Sequence, residues 1–194
     1  PEEGGRDLMG MLSGDMEVVY LLGADEIDTS ALGDAFVIYQ GTHGDAGAHR
    51  ADLILPAAAY TEKSGTYVNL EGRAQMTNRA VFPPGAAKED WAIIRALSPL
   101  VGHQLPYDDI FALRAAMYRE APSLARIGTV KPEGLEGVEA LAQMGGGQPG
   151  TAPFRSIVKD FYLTNPIARA SAIMAELSRL KALAESENTV EAAE

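Results

Sequence analysis

Cysteine is absent from the sequence. That removes disulfides, thiolate-held zinc and cysteine-held iron–sulfur clusters from this stretch of chain. It leaves the compartment open, because a chain without Cys is compatible with any redox environment. Long apolar runs are also missing. Nothing approaches the roughly 20 residues that a helix needs to cross a bilayer, and the longest candidates are cut by Pro or Gly, so no direct membrane insertion is expected. Basic charge is scarce: 16 Lys and Arg stand against 27 Asp and Glu, a formal net charge of −11. Such a surface repels phosphate backbones, so no nucleic-acid partner is expected. No run of Lys or Arg offers a polybasic patch for a membrane surface. No signal-peptide pattern is visible over the first residues given. It begins Pro1-Glu2-Glu3 without Met and is expected to be processed or a piece of something longer.

What is present is enough apolar material for a core. A hydrophobic content of 46% over 194 residues suits one compact domain, or one domain with an extended tail. Val18 to Leu22 and Phe36 to Gln40 are continuous β-branched and aromatic runs, and Leu53-Ile54-Leu55 is a third, stopped by Pro56. Runs without alternation predict a parallel sheet covered on both faces. The connections between them, a polar stretch from Asp25 to Asp34 and a few residues from Ala48 to Ala51, are short for crossovers. Residues 66–69 and 73–76 flank Leu70-Glu71-Gly72 and predict a β-hairpin with Gly72 at positive φ.

Helices follow. Glu89-Asp90 opens one, acidic at the positive end of its dipole, and Pro99 is expected to kink or stop it by removing the bond to the Arg95 carbonyl. A second is predicted over about Asp108–Arg119, with Ile110, Leu113 and Met117 on one side and Pro122 ending it. Residues 122–153 read as a linker or long surface loop with a short helix around Glu136–Met144. Asn165 as N-cap and Pro166 behind it begin a last helix, with a stripe of Ile173, Leu177, Leu180 and Ala184 and an acidic, frayed end. The fold class is therefore α/β: a partial parallel sheet with flanking helices and a hairpin, then a helical C-terminal tail. The divisions fall at 1–119, 120–156 and 157–194.

Candidate chemistry is thin. The loop Gly41-Thr42-His43-Gly44-Asp45-Ala46-Gly47 follows a strand, where doubly wound sheets bind ligands, but it lacks the G-x-G-x-x-G spacing and a Walker Lys. It reads as a tight turn needing positive φ rather than an anion cradle. His43, Asp45, His49 and Asp52 are not spaced to share a helix face, so no metal site is expected. His103 reads as a polar residue past a helix end. Glu62, Lys63, Glu71 and Arg73 read as ion pairs fixing the hairpin rather than as acid–base catalysts. No catalytic, cofactor-binding or metal-ligating residue is expected in this stretch.

Separated words in the sequence then carry a resemblance. Ala51-Asp52-Leu53-Ile54-Leu55-Pro56, followed by Glu62, Gly65-Thr66, Asn69, Glu71-Gly72-Arg73 and Gln75, resembles the ADxxLP…E…GTxxNxEGRxQ stretch of the molybdopterin oxidoreductase superfamily. Tyr39 to Asp45, Tyr60 to Ser64, Lys88 to Trp91, Leu105 to Asp108 and, near the end, 159–165 with Ile167 and Arg169-Ala170-Ser171 resemble the respiratory complex I branch of it, the C-terminal part of the large iron–sulfur subunit. The resemblance covers roughly 17–119 and 157–180. It implies a non-catalytic scaffold segment in the peripheral arm of the NADH:quinone oxidoreductase. The arm lies on the cytoplasmic face of a bacterial inner membrane or the matrix side in a mitochondrion, and the partners are the arm's other subunits. The 4Fe-4S and 2Fe-2S clusters would sit in a Cys-rich N-terminal part of the parent, and FMN in a partner subunit. The alternative is a fragment of a catalytic molybdopterin oxidoreductase such as a formate dehydrogenase, with Gly65, Thr66, Asn69 and Arg73 lining a pterin-phosphate pocket.

Overall fold

The computed structural model describes residues 5–132, 134–148, 150–154, 158 and 160–191, with 186–191 by their backbone alone. The opening Pro1–Glu3, the boundary at 156–157 and the last three residues of the acidic end lie outside the described residues. A one-turn helix α1 (Leu8–Met11), capped by the Asp7 carboxylate on Gly10 N–H, leads into strand β1 (Val18–Leu22). A 3-10 turn at Thr29–Leu32, capped by Asp28, returns the chain to β2 (Phe36–Gly41); the short helix α2 (Ala46–Arg50) returns it to β3 (Leu53–Pro56). The three strands form one parallel sheet in sequence order, Val18 opposite Phe36 and Ile38 opposite Leu53. One turn of helix in each connection is therefore enough to reverse the chain between such short strands.

Arg50 and Asp52 show why the second crossover closes. The guanidinium donates to the carbonyls of Gly33 and Ala35 at 2.8 and 3.0 Å, and the Asp52 carboxylate accepts from Val37 N–H at 2.7 Å. Side chains thereby replace ladder bonds where the strands separate.

Parallel pairing sends partnered residues to the same face. One face carries Leu21, Val37 and Tyr39, buried with Leu32 and packed by Val19, Ile27, Ala48 and Ala51. The other face carries Val18 (53% exposed), Phe36 (48%) and Leu53 (44%). The expectation of a sheet covered on both faces is thus met only in part: both connections cross on one side, and the other is covered at Gln40 but open at Val18, Phe36 and Leu53. Helix α3 (Asp90–Leu97) reaches the open side only near Gln40, whose Nε2 donates to Asp90 at 2.8 Å.

Beyond β3 the segment before α3 extends the sheet, with Ala58 N–H on the Lys88 carbonyl at 2.7 Å and Lys88 N–H on Pro56 at 3.1 Å. The hairpin forms as expected from β4 (Thr66–Val68) and β5 (Ala74–Met76), with Gly72 at φ 80°. Pro99 acts as expected too: α3 stops at Leu97. The Ser98 hydroxyl donates to the Arg95 carbonyl that the proline leaves without its amide, at 2.8 Å, and accepts from Leu105 N–H at 3.1 Å. Helix α4 (Ile110–Glu120) follows, capped by Asp109, and a 3-10 turn begins at Pro122.

Residues 122–130 run mostly exposed over the surface and are tied down at Gly128, whose N–H donates to the Ala74 carbonyl at 2.7 Å and whose carbonyl accepts from Arg73 Nη1 at 2.8 Å. The expected short helix forms as α5 (Leu135–Met144), with Leu135, Val138, Leu141 and Met144 exposed. One expectation fails in the C-terminal third. The last helix is not one rod. Asn165 caps a single turn, α6 (Pro166–Arg169), and α7 (Ala172–Glu191) restarts at Ser171, its hydroxyl accepting from Met174 N–H at 3.4 Å. The restart shifts the packed side. Ile173, Leu180 and Ala184 of the expected stripe are exposed, whereas Met174, Leu177 and Ser178 are half-buried. The helix continues regularly through Glu191.

Candidate functional site

Doubly wound sheets bind ligands outside the carboxyl ends of their strands. Here that position is a cavity of about 700 Å³, bordered by Gly23, Gly41, Thr42 and Ala57 at the strand ends. Its opposite wall is the C-terminal tail, Asn165 to Ala168 with Met174.

Two polar networks hold it. Within the α/β part, Tyr20 Oη donates to Gln40 Oε1, Gln40 Nε2 donates to Asp90, and Lys63 Nζ pairs with the second Asp90 oxygen. Burial raises the Tyr20 hydroxyl above its ordinary value, and the Asp90 charge adds to this. Gln40 is fully buried and carries the connection between strand and helix.

The second network fastens the tail. Arg169 meets three carboxylates: Asp45 through Nε, Asp25 through Nη2 at 2.9 Å and Glu26 through Nη1 at 3.0 Å. Asp25 is 1% exposed and Arg169 22%. Burial works against the guanidinium charge, but the bonds to Asp45 and Glu26 and the Asp45 and Asp25 charges leave it raised. In return the Arg169 bond holds the Asp45 carboxyl below its ordinary range, helped by the Ala46 N–H. The carboxylate before α2 is thus spent on Arg169 of the tail.

The glycines of that loop serve a different purpose from the one expected. Positive φ occurs at Gly23 and Gly72 but not at Gly41, Gly44 or Gly47. A Cβ on Gly41 would lie 2.3 Å from the Tyr39 ring, and one on Gly47 would lie 2.6 Å from it and 2.9 Å from Asp25 Cβ. Close approach by the buried Tyr39 ring, not turn geometry, demands glycine at both ends.

The other singled-out residues do not converge. His43 Nδ1 contacts the Thr42 hydroxyl at 2.9 Å, Asp45 faces Arg169, Asp52 serves Val37 and Arg50, and His49 is exposed. His103 lies past the end of α3, with its amide on the Ser98 carbonyl at 3.0 Å. Glu62 accepts from Ala59 N–H at 2.9 Å, and Lys63 belongs to Asp90 rather than to the hairpin acids. Glu71 and Arg73 do pair, at 3.2 Å. Asn69 Oδ1 accepts from Glu71 N–H and Arg73 N–H, both at 3.0 Å, so it shapes the turn. Gly65 exchanges bonds with Thr77, and Arg73 reaches away to Gly128. Sequence reasoning passed over the roles of Arg169 and Gln40. Their signal was chemical: an Arg behind a capped turn, and a Gln inside an apolar strand.

Comparison with known proteins bears on the same elements. The family profile described as molybdopterin oxidoreductase matches residues 1–99. The profile for the C-terminal region of the NADH-ubiquinone oxidoreductase G-subunit matches 129–177. The second match begins before the tail, in a stretch where no family word was expected. The mitochondrial NADH-ubiquinone oxidoreductase 78 kDa subunit of Neurospora crassa is 46% identical over 84% of this chain and 22% of its own length. The corresponding Candida albicans subunit is 48% identical over 81% of this chain and 23% of its own. The mitochondrial NADH dehydrogenase [ubiquinone] iron-sulfur protein 1 of Solanum tuberosum is 45% identical over 84% and 22%. The chain thus spans less than a quarter of the length of these curated relatives. It belongs to the molybdopterin oxidoreductase family, with the C-terminal region of the NADH-ubiquinone oxidoreductase G-subunit behind that family's α/β part.

Proposed function

We propose that this chain is a scaffold segment of the large iron–sulfur subunit in the NADH:quinone oxidoreductase, and that it holds no catalytic, cofactor or metal site of its own. The observation that carries this reading is the tail seated across the carboxyl end of the sheet, its Arg169 taken by Asp25, Glu26 and Asp45. Around the same cavity Lys63, Asp90, Gln40 and Tyr20 satisfy one another. A pterin in this cavity would need donors that these pairings already use, and at the hairpin Asn69 is spent on its own turn and Arg73 on Gly128 and Glu71, so the residues present do not fit the molybdenum cofactor.

The parent's electron transfer then runs through clusters held elsewhere in its chain, since no Cys is available here. We assign the partners to other subunits of the peripheral arm and the place to the cytoplasmic or matrix side of the membrane. Among the described residues no helix is long and apolar enough to cross one. We keep the division into an α/β part to about 119, a connection to 156 and a tail from 157.

Elemental and cofactor analysis of the intact assembly tests the reading. Iron without molybdenum or pterin is the expected result. Stoichiometric molybdenum and pterin would move the function to a catalytic molybdopterin oxidoreductase.

A further inference from the structure

A second cavity, about 310 Å³, opens between the hairpin and the helices α3 and α4. It adjoins the tail-covered crevice across the Lys63–Asp90 pair, which lines both, and its far wall carries Arg114. The Nε and Nη2 atoms of Arg114 are buried and meet no hydrogen-bond partner among the described residues. Those two N–H groups lie on one edge of the planar guanidinium and point the same way. A single two-oxygen anion accepts from both at once, the side-on bidentate geometry that arginine favours.

The charge of the cavity points the same way. Lys63, Glu89 and Asp90 are the other ionisable groups that line it, besides the phenol of Tyr67. Asp90 is taken by Lys63 and by Gln40. Glu89 accepts from Trp91 Nε1 at 2.9 Å and pairs with Arg79 at 3.4 Å. Each acid has its own cation, so Arg114 is the uncompensated charge among these described lining groups. Arg114 is partly buried, and a buried donor left without a partner is costly; Nε and Nη2 are two such donors among the described residues. One surplus positive charge matches a monoanion better than a phosphate dianion. The apolar walls, Leu113 and Met117 with Trp91, suit an anion carried on an apolar stem.

We infer that this cavity is a carboxylate-binding site with Arg114 as its bidentate anchor. The carboxylate has two candidate sources, an acidic side chain of a neighbouring polypeptide in the assembled parent or a small-molecule carboxylate.

A density map of the assembled complex that resolves side chains tests this directly. The expected result is a carboxylate within hydrogen-bond distance of both Arg114 Nε and Nη2. Density continuous with a polypeptide assigns the first source, and separate density the second; both support the site. Water alone or a backbone carbonyl at those atoms overturns it. A second measurement uses Arg114→Gln, which keeps the size but not the fork. Amide exchange over residues 64–67 and 110–117 in the assembled complex is expected to rise about ten-fold, with Arg114→Lys recovering part of the protection. Unchanged exchange in Arg114→Gln would also overturn the site.

Discussion

Arg169 shows how much of this molecule rests on single side chains. One guanidinium ties the tail to three acids on two loops, and one of those acids, Asp25, is almost completely buried. Removing the cation strands that carboxylate in the interior, which costs about 3 kcal/mol. Arg169→Ala should therefore lower stability by that amount in equilibrium denaturation and release the tail to proteolysis near residue 158. Arg169→Lys should regain less than half, because a point charge cannot serve three carboxylates. Acid acts on the same contact. The Asp45 carboxyl is held below its ordinary value of 3.8, so its contribution is complete above that value and disappears as pH falls through the lower folded one. Digestion with an acid-stable protease should show the tail loosening only as the pH falls below the ordinary Asp45 value, and Arg169→Ala should abolish the step. Glycine gives the third residue-scale expectation. Gly47→Ala forces a Cβ into the Tyr39 ring and should cost about 2 kcal/mol by overpacking. Gly44→Ala meets nothing within 4 Å and should be close to neutral, both read by equilibrium denaturation.

At the scale of elements, the hairpin and the chain that crosses it form one unit. Arg73 pairs with Glu71 and holds the Gly128 carbonyl, while Gly128 donates back to Ala74. Arg73→Ala should cost about 1 kcal/mol for a half-exposed charged hydrogen bond and speed exchange of the Gly128 amide. On the proposed scaffold role, NADH oxidation by the assembled parent should stay unchanged, and intact assembly with lost oxidation would contradict that role. The strands, the hairpin turn at Gly72 and the stop at Pro99 were legible in the sequence because each depends on local chemistry: β-branched runs, a left-handed glycine, a missing amide. The break at Ser171 and the docking of Gly128 were not, because both are decided by partners more than 50 residues away or by the phase of a neighbouring turn. Family words fell on the hairpin and on the turn that carries Arg169. They could not say that Asn69 shapes a turn while Arg169 forms the clamp, since a motif names residues and not the atoms they meet.

For the whole molecule, the question is what the unpacked side of the sheet does. Val18, Leu22, Phe36 and Leu53 all point to it and are each about half exposed. Contiguous apolar surface of this kind marks an interface more often than a water-facing wall, and single exposed residues would not. Burying four such side chains against a neighbour contributes on the order of 1 kcal/mol each, since about half of every surface is already covered. About 4 kcal/mol alone corresponds to millimolar affinity, enough to seat this face only where the rest of a larger protein already holds it nearby. Hydroxyl-radical footprinting can compare Phe36 and Leu53 in the isolated chain and in the intact assembly. Both should label strongly in isolation and become protected by about ten-fold or more in the assembly. Tyr39, buried on the opposite face, should be protected in both and so serves as the internal reference. Equal labelling of Phe36 in the two samples would mean that the face stays wet in the parent, and the scaffold reading would lose its main physical support outside the tail.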